Sequence, residues 1–337
     1  MVLTSCKQET IDRISSSASQ HSTSWLRLHN KIAATLQNIN PRWDSNRIFQ
    51  ETRKIVGACM QVVTYNEFLP ALLGPFFNRL ITPYAGYDRQ MSTGTLNEFA
   101  TAAFRLHGMV QELYPLLDSS FRQTGSVGVV EGIQNLNVIM ESGLDLLYRG
   151  LISIPARAPQ RITTSMTELI FKRQGDMASV NIQRGRDHGL APYNHYRRLC
   201  KLRPIQSFDE WVEVSDPEAR LQISQLYSSP DELDLYTGGI LEDRAANSLV
   251  GPTFACIISE QFVRLREGDR HYWENPSSFT EQLTEQAALA QVTLSWIICS
   301  TADRMGRITH DSFSIDNGAN AVQCSAIPHL DLNPWRE

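Results

Sequence analysis

The sequence predicts a mainly α-helical protein, and three observations predict it. Apolar residues recur at steps of three and four in one segment after another, the spacing that lines one face of a helix. Helix-breaking pairs such as Asn40-Pro41 and Gly74-Pro75 fall between those segments. Runs that alternate apolar and polar residues, the mark of half-buried strands, are few and short.

Residues 1–24 include the serine-rich stretch Ser15 to Ser24 and read as an irregular amino-terminal segment, and residues 25–337 read as a single domain. Over 25–38, Trp25, Leu28, Ile32 and Leu36 share one helical face, and Asn40-Pro41 ends the run. Asp44 or Ser45 can cap the next helix, because a short polar side chain accepts from the unpaired N–H groups of a first turn. That helix carries Ile48, Phe49, Ile55, Val56, Cys59, Val62 and Val63 as its apolar positions. Pro70 and then Gly74-Pro75 stop the following segment, and residues 76–92, with Pro83, Gly86 and Asp88, read as an irregular loop. A long helix is expected over 96–114, with Phe99, Ala102, Ala103, Leu106, Val110 and Leu113 on one face. A loop at 125–128 and a helix over 136–151 follow. Further helices are expected over 160–174, 191–200, 217–228, 253–267 and 279–299.

Composition narrows the function. Hydrophobic residues at 42% and charged residues at 20% suit a globular chain with a sizeable core. The 31 basic against 36 acidic residues leave a net charge of −5, so no basic excess exists to release counterions from nucleic-acid phosphates. The local run Arg197, Arg198, Lys201 and Arg203 reads as a solvated helix end. No segment approaches the roughly 20 consecutive apolar residues that span a bilayer. Met1 to Thr10 lacks the basic and apolar regions of a secretory signal, and no Asn-x-Ser/Thr sequon occurs. None of Cys6, Cys59, Cys200, Cys256, Cys299 and Cys324 is spaced as CxxC, which argues against a zinc site. Long-range disulfides and buried thiols both remain open.

Few residues advertise chemistry. The GxSxG, GxxxxGK[ST], HExxH and GxGxxG patterns are all absent. His107, on the expected 96–114 helix and beside Gly108, leaves open space over its imidazole where a flat cofactor can approach; the commoner fate of such a residue is a satisfied core histidine. The stretch Asn181-Ile182-Gln183-Arg184-Gly185-Arg186-Asp187-His188 sets two arginines, an aspartate and a histidine close together. Forked guanidinium donors there can hold carboxylates, and an internally paired Arg-Asp network accounts for the cluster equally well. His188 fits a general acid or base, or a structural hydrogen bond. His29 fits a packing or surface role, and His195, His271, His310 and His329 carry no sharp signal.

Several separated stretches together resemble the animal haem peroxidases. They are Leu26-Arg27-Leu28-His29-Asn30-Lys31-Ile32-Ala33, Asn40-Pro41-Arg42-Trp43-Asp44, Ile48 to Ala58, and Thr64-Tyr65-Asn66-Glu67-Phe68-Leu69-Pro70. They continue with Asn181 to Gly189, Gly238-Gly239-Ile240, Val250-Gly251-Pro252-Thr253-Phe254-Ala255-Cys256 and Arg264 to Arg270. The matches keep the family's order from about Trp25 to Arg336, over the carboxy-terminal, proximal portion of that domain.

The resemblance implies an all-α fold, haem b as cofactor and hydrogen peroxide as oxidant of a small phenol or halide donor. The family's proximal motif is Phe-Arg, two residues, then the histidine that ligates the iron. Here Phe104-Arg105 is followed by one residue before His107. An ungapped alignment puts Gly108 on the ligand position, with His107 turned about 100° away on a helix. A one-residue deletion, preferred here, puts His107 on it, and Gln111, Leu117, Asp118 and Phe121 then match downstream. A π-like or tightened turn can absorb such a deletion. Asn181 matches the asparagine that accepts the histidine's ring N–H, Arg184 the arginine paired with a haem propionate, and Arg105 another arginine near the haem.

The family's Q-x-x-D-H distal histidine and its calcium loop have no counterpart in this sequence, so the amino-terminal distal portion is expected to be missing. Arg13 matches the distal arginine only if two residues are deleted after it, and Ser16 then replaces the acidic or amide residue of the family. A catalytically impaired protein acting by binding or interaction is the alternative reading. Cys200 with Cys256, and Cys299 with Cys324, match paired cysteines of the family, which implies an extracellular or lumenal setting.

Overall fold

The computed structural model describes residues 19–132, 135, 137, 143–160, 162–279 and 282–337. The protein is mainly α-helical, with two small two-stranded antiparallel sheets among the described residues. The contacts divide the chain into two compact units that alternate along the sequence. One takes in the described residues of 1–68, 111–156 and 270–337, the other those of 69–110 and 157–269.

In the first unit the Ser19–Ile39 helix packs against the Ser45–Val63 and Leu294–Thr301 helices. It starts earlier than residue 25, inside the segment expected to be irregular. Leu28, Ile32 and Leu36 are buried, as their spacing predicts. Asp44 caps the next helix, its Oδ1 accepting from Arg47 N–H at 2.8 Å. Ile48, Ile55, Cys59, Val62 and Val63 line its buried face, whereas Phe49 is exposed and lies 5.6 Å from the His29 ring. Burial pushes the Cys59 thiol up to about 12, so it is an inert core group. The Leu113–Leu117 and Gln123–Gly128 strands pair antiparallel and pack on the Leu144–Ser153 helix. A disulfide joins Cys299 and Cys324, the pairing the resemblance implied.

Three expectations here are corrected. The loop at 125–128 is strand, paired to residues 113–116. The 279–299 helix is two, Gln282–Leu289 and Leu294–Thr301, because Thr293 starts the second by accepting from Trp296 N–H at 3.1 Å. The 96–114 helix stops after residue 103, and 113–117 is extended. Pro115 accounts for the far end: its ring disfavours the helical conformation at Tyr114 and it has no N–H to donate.

The second unit is built around the Pro252–Glu267 helix, which buries Phe254, Ile257, Ile258 and Phe262. Phe262 meets Phe99 and Phe104 edge-on at 5.9 and 6.0 Å, and those two stack at 4.5 Å, a geometry that favours aromatic quadrupoles. The Met177–Asp187, Tyr193–Leu199, Pro217–Leu226 and Leu235–Leu241 helices complete it. The Cys200–Cys256 disulfide ties the end of Tyr193–Leu199 to the first turns of Pro252–Glu267, again as the resemblance implied. The helix expected over 160–174 shrinks to one π-turn at Ser165–Leu169, and the backbone passes through positive φ at Lys172 and Arg173.

Candidate active site

His107 sits where the helical path of residues 97–103 gives out. Over Phe99–Ala103 the turn widens, with Phe104 N–H donating to Phe99 O at 3.0 Å. It then tightens into a 3-10 turn over His107–Met109, where Met109 N–H donates to Leu106 O at 3.0 Å. A widened turn followed by a tight one changes the helical phase locally. His107 is therefore at the head of a 3-10 turn and not in mid-helix. Gly108 itself is tightly packed: a Cβ there would lie 1.9 Å from the Pro159 carbonyl oxygen. Gly108 is needed so that two stretches of backbone can touch, with Arg157 N–H donating to Met109 O at 3.2 Å beside them.

The imidazole is 1% exposed and its Nδ1 lies 2.8 Å from Nδ2 of Asn181, which is 0% exposed. Asn181 reaches this point because Asp176 caps the Met177–Asp187 helix, and that helix packs on both the Phe99–Ala103 turn and the Leu235–Leu241 helix. The other end of the amide, Oδ1, is buried without a hydrogen-bond partner. Arg184 follows Asn181 by three residues, hence on the same side of the helix. It is exposed, and its side chain makes no hydrogen bond or ion pair with the described residues. Arg105 is half-buried, its Nε donating to Ala100 O at 2.9 Å.

The rest of the polar stretch has structural work. Arg186 forks onto Asp234, with Nε–Oδ1 and Nη2–Oδ2 distances of 3.1 and 2.7 Å. Asp187 accepts from Gln183 Nε2 at 2.7 Å, and His188 Nδ1 lies 2.9 Å from Asn97 Oδ1. His107 and Asn181 thus come together from both halves of the unit's sequence, with Arg184 one turn from Asn181 and Arg105 two residues before His107. Arg13 and Ser16 lie outside the described residues.

Two features escaped the sequence. Tyr236, on the Leu235–Leu241 helix, is 3% exposed and its hydroxyl is buried without a hydrogen-bond partner. Burial pushes its phenol up to about 12, and the Asn181 amide is the group that chiefly opposes that rise. The second is a carboxylate clamp at Glu242, 1% exposed. It accepts from Tyr193 Oη at 2.6 Å, Arg197 Nη1 at 3.1 Å, and Thr253 N–H and Oγ1 at 2.8 and 2.5 Å. Arg197 is 1% exposed and also pairs with Glu213, so it is not part of the solvated helix end expected of the basic run. The glycines in Gly238-Gly239 permit this closeness: Cβ atoms there would lie 2.4 Å from Tyr193 and 2.0 Å from Phe254.

A family profile described as animal haem peroxidase matches residues 14–313. Peroxidase skpo-1 of Caenorhabditis elegans is 53% identical over 315 residues, covering 94% of this chain and 48% of that protein. The human peroxidasin homolog is 39% identical over 329 residues, covering 94% of this chain and 22% of that protein. Peroxidase A of Dictyostelium discoideum superposes with a TM-score of 0.77 at 32% identity, over 86% of this chain and 55% of that one. A fatty acid alpha-dioxygenase of Arabidopsis thaliana, at 15% identity and a TM-score of 0.72 over 93% of this chain and 56% of that one, shares the fold. The chain spans at most about half the length of the curated relatives named here. The extent of the profile match and these identities show that the chain belongs to the animal haem peroxidase family.

Proposed function

We propose that His107, Asn181, Arg105 and Arg184 build the proximal side of a haem b site, used with hydrogen peroxide to oxidise a small phenol or halide donor. The observation that carries this reading is the buried 2.8 Å contact between His107 Nδ1 and the Asn181 amide. The donor set fits the group: one imidazole in a dry setting, held through its second nitrogen, is a haem-iron ligand and its orienting partner. Ligation through Nε2 requires the proton on Nδ1, and so requires the oxygen end of the Asn181 amide to face the ring. The unpartnered Oδ1 of Asn181 is the acceptor that can turn to do so; amide oxygen and nitrogen have nearly the same outline, and hydrogen-bond counting decides between them.

Accepting that proton fixes the tautomer and makes the axial nitrogen more basic. When bound, the haem supplies the two-electron chemistry toward peroxide that side chains lack. Arg184, exposed and unengaged, offers a fork that matches a carboxylate such as a haem propionate. Two disulfides suit an oxidising, extracellular or lumenal compartment. No helix among the described residues is long and apolar enough to cross a membrane.

The test is peroxide-dependent oxidation of a phenol by protein loaded with ferric protoporphyrin. Turnover that His107→Ala lacks is expected. Equal turnover in wild type and His107→Ala contradicts the assignment.

A further inference from the structure

Asn181 can orient His107 only if something orients Asn181. A carboxamide presents an acceptor at one end and a donor at the other, and the wrong end toward the ring gives the wrong tautomer. With Nδ2 facing the imidazole, the amide donates to Nδ1 and the ring proton belongs on Nε2, the nitrogen that would bind iron. That arrangement also leaves two buried atoms of the second unit without partners, Asn181 Oδ1 and Tyr236 Oη. Buried polar groups without partners are rare because they forfeit their hydration for nothing.

We propose that Tyr236 is a positioning residue: its phenol donates to Asn181 Oδ1 and so fixes which end of the amide meets His107. An amide oxygen has two lone pairs, enough to accept from Nδ1–H and from the phenol O–H together. Turning the amide over therefore satisfies the ring N–H, the phenol and the oxygen at once, and leaves only the amide N–H groups in the place Oδ1 now holds. The elements are placed for it. The Leu235–Leu241 helix packs on the Met177–Asp187 helix, Tyr236 and Asn181 are 3% and 0% exposed, and the Asn181 amide opposes the rise that burial causes at the Tyr236 phenol. The Arg105 charge bears on the same hydroxyl. The result is a chain from phenol to amide to imidazole in which residue 236 selects the tautomer at residue 107.

The importance of this chain to iron binding rests on the haem reading above; the tautomer claim does not, and the experiment separates them. In haem-free protein with 15N-labelled histidine, long-range proton–nitrogen correlations read the His107 tautomer with the ring neutral. Wild type is expected to hold the proton on Nδ1, and Tyr236→Phe to shift population to Nε2. In Asn181→Asp both ends of the side chain accept, so adding Tyr236→Phe to it should leave the proton on Nδ1. A wild-type ring protonated on Nε2, or a tautomer indifferent to Tyr236→Phe, overturns the proposal. In haem-loaded protein the same variant should lower the iron–histidine stretching frequency and weaken haem affinity about ten-fold, at the low end for loss of a partner behind a metal ligand. A tautomer shift in a protein that binds no haem leaves the proposal standing and rejects the peroxidase reading; bound haem with an unmoved tautomer does the reverse.

Discussion

Replacing Glu242 tests how the second unit holds the helices around the site. Four donors converge on this carboxylate: Tyr193 Oη, Arg197 Nη1, and the N–H and Oγ1 of Thr253. They come from two helices, Tyr193–Leu199 and Pro252–Glu267, and the Thr253 N–H belongs to the first turn of the latter, where no intrahelical acceptor exists. In Glu242→Ala all four lose their acceptor inside the core. Arg197 keeps Glu213, the Arg203 carbonyl and the Tyr193 hydroxyl oxygen as acceptors, so the loss is smaller than four full desolvation penalties. Removing one partner of a buried ion pair typically costs about 3–5 kcal/mol, and Glu242→Ala should fall there. Glu242→Gln keeps one oxygen for Tyr193, Arg197 and Thr253 Oγ1, but presents an amide N–H to the Thr253 N–H. About 2 kcal/mol is expected for it, one orphaned donor with some like-to-like repulsion. Urea unfolding followed by tryptophan fluorescence reads both as shifts of midpoint at constant slope. Less than about 1 kcal/mol for Glu242→Ala, the level of a surface substitution, would refute the view that this carboxylate ties the helices together.

Three further outcomes follow. Burial pushes the Glu67 carboxyl from 4.5 up to about 7, opposed by the Leu294 N–H it accepts at 2.7 Å and reinforced by Asp311. The folded state then holds a proton that the unfolded chain releases, so this contribution is complete below pH 4.5 and declines as pH rises through 7, by about 3 kcal/mol at most; Glu67→Gln should flatten that part of a stability–pH curve. Gly108→Ala drives a Cβ to within 1.9 Å of the Pro159 carbonyl oxygen; a loss of about 1–3 kcal/mol should accompany weaker haem binding, as the backbone carrying His107 moves. Replacing both Cys200 and Cys256 by Ala opens a loop with a sequence separation of 56, worth about 4 kcal/mol in chain entropy and seen as a lower melting temperature.

How much of this was legible in the sequence differs from residue to residue. Leu28, Ile32 and Leu36 announced a buried helical face by their spacing alone, and the cap of the next helix was narrowed to Asp44 or Ser45, of which Asp44 supplies it. The 96–114 helix misled because its apolar residues do keep helical spacing, yet Gly108 packs closely on the Pro159 backbone and Pro115 forces the following stretch open. Only Pro115 was visible in the sequence, and periodicity outweighed it. Arg197 misled in the opposite way. A basic run reads as solvated until the partner carboxylates, here Glu213 and Glu242, are known to converge on one of its members. His107 and Asn181 stood out through the order of family motifs. Tyr236 did not, since nothing local distinguishes an aromatic that meets a distant amide from one that merely fills the core. Contacts of that kind are set by tertiary packing, which residue spacing does not encode.

The most direct measurement is a titration of the purified protein with ferric protoporphyrin, repeated for His107→Gly with and without added imidazole. Wild type should give a saturable, histidine-ligated Soret band. His107→Gly should lose it, and free imidazole should bring it back by occupying the vacated place. A variant spectrum identical to wild type, or a wild type that leaves the porphyrin spectrum unchanged, contradicts the assignment of His107 as the axial ligand.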